Sequence, residues 1–535
     1  MSLQQIVTEN LYHPEAMELA YQQARKEGNE QAFTAAVASS YAQNSDNLLL
    51  AAWHYRLLHA ATKVKERVIA WNWALPLGIL NGLLLWALSD DQRFNLRILN
   101  PLTGDSHTLI PLIALLAVPI SAWFITLFLT AVGNKRWSRV ALAAVILALS
   151  AGYVLLLHAQ IWPRLFQEQY LALMVLHLGL LGWAAVGFTA LARPRDAENR
   201  LAFLAKSLEV LVVAGVLAIA GGIFTAITIA LFAALNVEIP PVVQRLFIAG
   251  GGGLIALVAA ALVYDPALEP SRQSFEEGLS KLVALLMRLL LPLTVTVLLV
   301  YLAFIPFNWR EPFDNRDVLI TFNVMLFAVV ALLVGASPAH TDVLSERMQT
   351  WLRRGMMALA VLALLVSLYA LAAIVYRTVL DRLTPNRLTF IGWNLVNIAI
   401  LALLLLQQRR AGRANWLAAL QRTFATGVTL YFVWTIVALL SLPWLFRGNP
   451  IEVANLSPRI QQIVYDRPEP IILKCSTSPH IYLLQDGKKR WIKDIPTFEA
   501  RGYRWNDVVY IFCDELREVP DGQPIPPDAG PPPQP

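Results

Sequence analysis

The stretch LFIAGGGGLIALVAAALVY, residues 246–264, decides the fold class. Its nineteen residues carry no charge. Wound as a helix they reach about 28 Å, close to the roughly 30 Å hydrocarbon core of a bilayer. Similar runs lie at 68–88, 108–132, 140–158, 170–192, 208–235, 289–307, 318–336, 355–375, 388–406 and 424–445, which makes about eleven spans. Helices are expected throughout, because lipid offers no partner to an unpaired backbone group. The runs are too long and too uniformly apolar for the alternating strands of a membrane barrel. The expected fold is therefore an all-α polytopic membrane bundle over 68–447.

Composition agrees. Of the 535 residues 57% are hydrophobic and 15% charged, against about 45–50% and about 25% in globular domains. Mean hydropathy is +0.52. The net charge of +6 invites a nucleic-acid reading, but the cations sit in short loops between apolar runs and form no continuous stripe. They sort instead by loop. Arg56, Lys63, Lys65, Arg67, Lys135, Arg136, Arg139, Arg193, Arg195, Arg200, Lys206, Arg272, Lys281, Arg347, Arg353, Arg354, Arg409, Arg410, Arg413 and Arg422 fall on one side. Arg93, Arg97, Arg164, Arg245, Arg310, Arg316, Arg377, Arg382 and Arg387 fall on the other. Positive charge gathers on the cytoplasmic side, so the N-terminus is expected inside and, after an odd number of spans, the C-terminus outside. Residues 1–67 are polar and lack the apolar core of a signal peptide; the first span should act as an uncleaved anchor.

Both ends read as soluble. Residues 1–67 form a cytoplasmic helical segment, with Pro14 opening one helix, Gly28-Asn29 breaking it, and Asp46 suited to cap another. Residues 449–520 change character. Ile471–Cys475, Ile481–Gln485, 490–493 and 508–512 are β-prone, and Asp486-Gly487 is a hairpin signal. A small external α+β module fits. The only two cysteines, Cys475 and Cys513, lie within it, and an oxidising compartment would let them pair; two reduced, buried thiols are the alternative. Residues 521–535 are Pro-rich and expected to be disordered.

The run SPHIYLLQDGKKRWIKDIPTFEARGYRWNDVVYIF resembles a small repeat module of exported bacterial proteins, with a GKKR-x-I core followed by GY-x-W. The matching positions are Ile481, Tyr482, Leu483, Gly487, Lys488, Lys489, Arg490, Ile492, Phe498, Gly502, Tyr503 and Trp505, within about 471–526. The resemblance implies an external tail. Residues 200–447 resemble the bacterial inner-membrane family catalogued as domain of unknown function 4153. The cue is YRTVLDRLTPNRL, where Leu383, Thr384 and Arg387 match and Arg382 replaces the usual Gly. It implies a polytopic inner-membrane protein and no established activity.

Reactive motifs are scarce. There is no metal-ligand spacing, nucleophile elbow or phosphate loop, so neither metal nor cofactor is expected. Asp90 and Asp91, just after the first span, are the only catalytic candidates, echoing the acidic pair of lipid-carrier glycosyltransferases. Arg310, Arg316, Arg377, Arg382 and Arg387 are candidates for holding a lipid phosphate or other anion. Arg288 and Glu209 read as interfacial, His177, Asn323, Asn394 and Asn397 as interhelical hydrogen-bonding groups. Gly221-Gly222 and Gly250–Gly253 mark either close helix packing or broken transport helices. The expectation is a transporter or scaffold displaying the external module, with the lipid bilayer, proteins at either end and no nucleic acid as partners; the alternative is a membrane enzyme acting on a lipid-linked substrate.

Overall fold

A computed structural model describes residues 3–26, 29–63, 69–99, 106–161, 164–191, 196–275, 278–314, 316–338, 344–380, 383–447, 455–466 and 470–535. Two compact units divide the chain at Ile69.

The first unit is four helices: α1 (Leu3–Glu9), α2 (Pro14–Lys26), α3 (Glu30–Gln43) and α4 (Leu48–Lys63). They bury Val7, Met17, Phe33, Val37, Leu50, Trp53 and Leu57. The cap of α4 is Asn47, not Asp46: its side-chain oxygen accepts from the amides of Leu49 and Leu50 at 3.0 and 3.1 Å. An amide fills this role because its Nδ2 also donates to Leu11 O at 3.1 Å, which a carboxylate could not do.

The second unit holds the bundle and the C-terminal module. Its first helix is α5 (Trp71–Leu88). A short hairpin, β1 (Asn95–Leu99) with β2 (Ser106–Pro111), follows and leads into α6 (Leu112–Gly133). Then come α7 (Trp137–Leu157), α8 (Arg164–Ala190) and α9 (Ala197–Ala234). Helices α10 (Pro241–Arg245) and α11 (Gly251–Val263) make one span, joined by a π-helical turn over Leu246–Gly250. The rest are α12 (Gly278–Phe304), the single turn α13 (Glu311–Asp314), α14 (Arg316–Ala336), α15 (Glu346–Leu380), α16 (Pro385–Ala411) and α17 (Trp416–Leu445). Among the described residues ten helices are long and apolar enough to cross a membrane, and the apolar part of α14, Thr321–Ala336, is a shorter apolar helix. The chain is a multispan integral membrane protein.

Contacts sort the helix ends into two rims. At one, Lys135 Nζ donates to Ala190 O at 2.8 Å, Arg139 to Phe188 O at 3.2 Å and Arg200 to Ala425 O at 2.7 Å. Arg353 donates to Gln408 O at 2.6 Å, and Arg288 reaches Ala336 O at 3.3 Å. Arginine and lysine here close the carbonyl ends of α8, α14 and α16, where the helix dipole favours cations. Burial, and secondarily Arg139, lowers the Lys135 ammonium to about 8, which leaves it protonated at neutral pH. The opposite rim carries the ends of α5 and α17, the β1–β2 hairpin, the 158–161 turn bridged to Arg447, and the starts of α8 and α16. Helix α5 runs antiparallel to α11, with Gly82 against Gly250 and Gly78 against Leu254. The first span therefore starts at the basic rim and the last ends at the sparse one.

Glycine makes the α5–α11 crossing. A Cβ on Gly82 would lie 2.5 Å from Gly250 O, and one on Gly253 would lie 2.8 Å from the Cα of Gly82. Asn81 seals the contact by donating to Gly253 O at 2.8 Å and to Ser121 Oγ at 3.0 Å. Gly222, by contrast, has nothing within 4 Å of its Cβ position.

The module contains α18 (Pro458–Asp466), β3 (Ile471–Cys475), β4 (Ile481–Gln485), β5 (Lys488–Ile492), α19 (Ile495–Ala500), β6 (Val508–Ile511) and α20 (Cys513–Glu518). The sheet order is β5-β4-β3-β6, with β6 parallel to β3. Asp486 and Gly487 both take positive φ, 52° and 70°, the geometry of a two-residue hairpin turn. Cys475 and Cys513 form a disulfide.

One expectation is corrected. Residues 521–535 are not disordered but packed against β5 and β4. Gly522 N donates to Lys489 O and Ile525 N to Trp491 O, each at 2.8 Å. Ile525 is fully buried, and Tyr482 Oη donates to Pro533 O at 2.7 Å. Proline-rich composition suggested disorder, but proline only removes donors, and the intervening Gly522 and Ile525 supply them. The module thus continues past Pro520.

Candidate functional site

The disulfide sits between the end of β3 and the start of α20. The GKKR-type motif on β5 is a second structural knot. Lys489 is almost fully buried; its Nζ donates to Val519 O at 2.7 Å and pairs with Asp521 at 3.4 Å. Arg490 Nε donates to Gln523 O at 2.8 Å. Both cations hold the terminal segment, and only Lys488 of the basic run is exposed.

Asp90 and Asp91 differ in surroundings. Asp90 is half-buried and shared between Arg245, 3.6 Å away, and Arg93, 3.7 Å away. Asp91 is exposed, and its carbonyl accepts from Asn95 Nδ2. The candidate arginines spread over the sparse rim. Arg310 lies over the Trp309 ring at 5.2 Å. Arg377 follows Tyr376, whose ring meets Phe313 of α13 at 5.3 Å, so these two loops adjoin. Arg387 begins α16, where its amide donates to the Thr384 cap at 3.2 Å with Pro385 at the first helical position. The LTPNR run is thus a helix start. Arg382 lies outside the described residues, as does the side chain of Arg316. Among the described residues no three His, Cys, Asp or Glu side chains converge as a metal site would require.

Two buried polar groupings were not legible as groupings. The first ties α9 to α12 near the basic rim. Lys206 Nζ donates to Glu209 at 2.8 Å and to Ser280 Oγ at 2.9 Å, Ser280 donates on to Glu209 at 2.7 Å, and the Phe275 ring covers the ammonium at 4.5 Å. Both charged side chains are under a tenth exposed. Glu209 is thus a buried ion-pair partner near that rim; Lys206 three residues earlier was the available signal. Breaking such a pair strands a charge, at about 3–5 kcal/mol, while replacing both members by apolar residues can be neutral. Lys206→Met is expected to lower the melting temperature of purified protein sharply, and Lys206→Met with Glu209→Met to recover most of the loss. A double variant as weak as the single one would refute this account.

The second grouping lies in the bundle interior. The Trp393 ring of α16 meets His177 of α8 at 5.6 Å, Phe327 of α14 at 5.3 Å and Tyr431 of α17 at 5.2 Å. Tyr431 Oη donates to Asn397 Oδ1, and Asn394 Nδ2 to Asn323 Oδ1 at 2.9 Å. Gly392 lets the Trp434 ring press against α16, since a Cβ there would lie 1.8 Å from it. The residues read separately as interhelical partners therefore share one layer.

No family model, no curated protein and no solved structure matches the chain.

Proposed function

We propose that this is a multi-pass protein of a bacterial inner membrane, with its N-terminal helices in the cytoplasm, that acts as a scaffold holding the disulfide-bonded module at the outer face. The observation that carries the reading is the coincidence of loop charge with rim geometry. The rim where the first span starts is the one crowded with Lys135, Arg139, Arg200, Arg353 and their neighbours, the pattern of a cytoplasmic face. The Cys475–Cys513 bond supports the other half, because disulfides persist in oxidising compartments. The resemblances to an inner-membrane family and to an exported repeat module point the same way.

Spheroplasts test this directly. Protease added outside is expected to release residues 455–535 and leave 70–447 in the membrane. Release only from inverted vesicles would overturn the topology. Solute flux through proteoliposomes equal to that of empty vesicles across a broad panel would favour the scaffold over a transporter. The enzymatic alternative rested on Asp90 and Asp91, and Asp90 is already engaged by two arginines.

A further inference from the structure

Bundle interiors in lipid satisfy their polar groups within the protein. Among the described residues, six such groups gather along one seam of this bundle without a partner. On α16, Thr389, Trp393 and Asn397 recur every fourth residue and so share a face; each is at most 1% exposed. Thr389 Oγ1, Trp393 Nε1 and Asn397 Nδ2 are all buried without a hydrogen-bond partner among the described residues. Opposite them, α8 brings Tyr170 and His177, both fully buried, with Tyr170 Oη and His177 Nε2 in the same condition. Helix α17 adds the buried Nε1 of Trp434.

These groups adjoin along α16: the Trp434 ring lies against Gly392, and Leu388 and Trp434 pack on the cluster that holds Tyr170. Ring contacts join His177, Trp393 and Tyr431. The amide of Asn386 beside Gln169 Oε1, 3.4 Å apart, sets Tyr170 level with the start of α16. Thr389 then lies about 6 Å and Asn397 about 18 Å along the α16 axis from Pro385. The seam thus runs from near the sparse rim to mid-bundle. Beyond Asn397 the wall changes: Ile400, Leu401 and Leu404 are each 1% exposed and purely apolar, and Ile400 packs against Gly427.

An unmet buried polar atom costs about 1–3 kcal/mol, so a chain of six would cost about as much as a protein's usual net stability margin. Water is the partner that fits. The site is uncharged and offers both signs of hydrogen bond. Trp393, Trp434 and Asn397 present donors. His177 Nδ1 lies 2.7 Å from Leu173 O and must donate to that carbonyl, which leaves Nε2 of the neutral ring as an acceptor. We infer that this seam between α8, α16 and α17 is a water-filled half-path, entered from the rim that bears the module, ending at His177 and Asn397 and closed below by the Ile400–Leu404 layer.

Hydroxyl-radical labelling of the unaltered full chain in nanodiscs tests this, since radicals made from bound water mark adjacent side chains. Trp393 is expected to label several-fold faster than Met356, which is about as buried but lies in an apolar cluster. Labelling of Trp393 no faster than Met356 would overturn the inference. A second reading uses introduced thiols, which react alone because both native cysteines are paired. Thr389→Cys, a near-isosteric change, is expected to react with external methyl methanethiosulfonate at least about ten-fold faster than Leu404→Cys, since only a hydrated thiol ionises. Equal rates would sink the half-path.

Discussion

Cys475→Ala with Cys513→Ala is expected to lower the module's stability by about 4 kcal/mol. The bond closes a loop of 38 residues, and chain entropy alone gives that magnitude at this length. Its sheet is small, with one core on each face: Leu473, Tyr482 and Leu484 on one, Ile472, Leu483 and Phe498 on the other. Domains of this size have little margin without a staple. The measurement is limited proteolysis of the full chain in native membranes. If cleavage follows the open population, its rate within 470–535 should rise by a factor on the order of 10³, and reductant on the unaltered protein should do the same. An unchanged rate in both would show that the sheet and terminal segment suffice.

The second large effect is at the α5–α11 crossing. Gly253→Leu is expected to cost about 3 kcal/mol or more, because even its Cβ would press on the backbone of Gly82 and two backbones must separate. The Asn81 hydrogen bond to Gly253 O would stretch with them. Gly252→Leu, one residue away with nothing within 4 Å, is expected to shift stability by no more than about 0.5 kcal/mol. Thermal melting of the detergent-solubilised protein reads both. Similar values for the two variants would mean that the crossing tolerates separation and that the Gly run serves something other than packing.

What could be read in the sequence follows from what the solvent enforces. Lipid permits only self-satisfied helices, so the apolar runs translate almost directly into α5–α17, including α14 with its shorter apolar part. The module's strands were legible from β-prone runs and from Asp486-Gly487, whose turn geometry needs those residue types. The disulfide was legible because only two cysteines exist. The β1–β2 hairpin was not read, since strands of five and six residues beside a long apolar helix give little period to detect. The cap of α4 fell one residue from its expected place because adjacent Asp46 and Asn47 are both good caps, and only the tertiary contact to Leu11 decides between them. Pairings across helices were invisible for a deeper reason. Asn394 and Asn323 are 71 residues apart, and Asn81 and Gly253 are 172 apart. Local periodicity says which face a residue occupies but not which helix faces it.

Of the sheet's two borders, the backbone of β5 is already paired to Pro520, Gly522 and Ile525, whereas β6 ends the sheet on the other side. Strand-to-strand association propagates only when each copy offers two free borders. Among the described residues no strand lies beyond β6, and a module with one open border joins a single neighbour about a two-fold axis and then stops. The Pro-rich segment therefore acts as a chain terminator for assembly: crowded at a membrane surface, these modules can pair but cannot polymerise through their sheets.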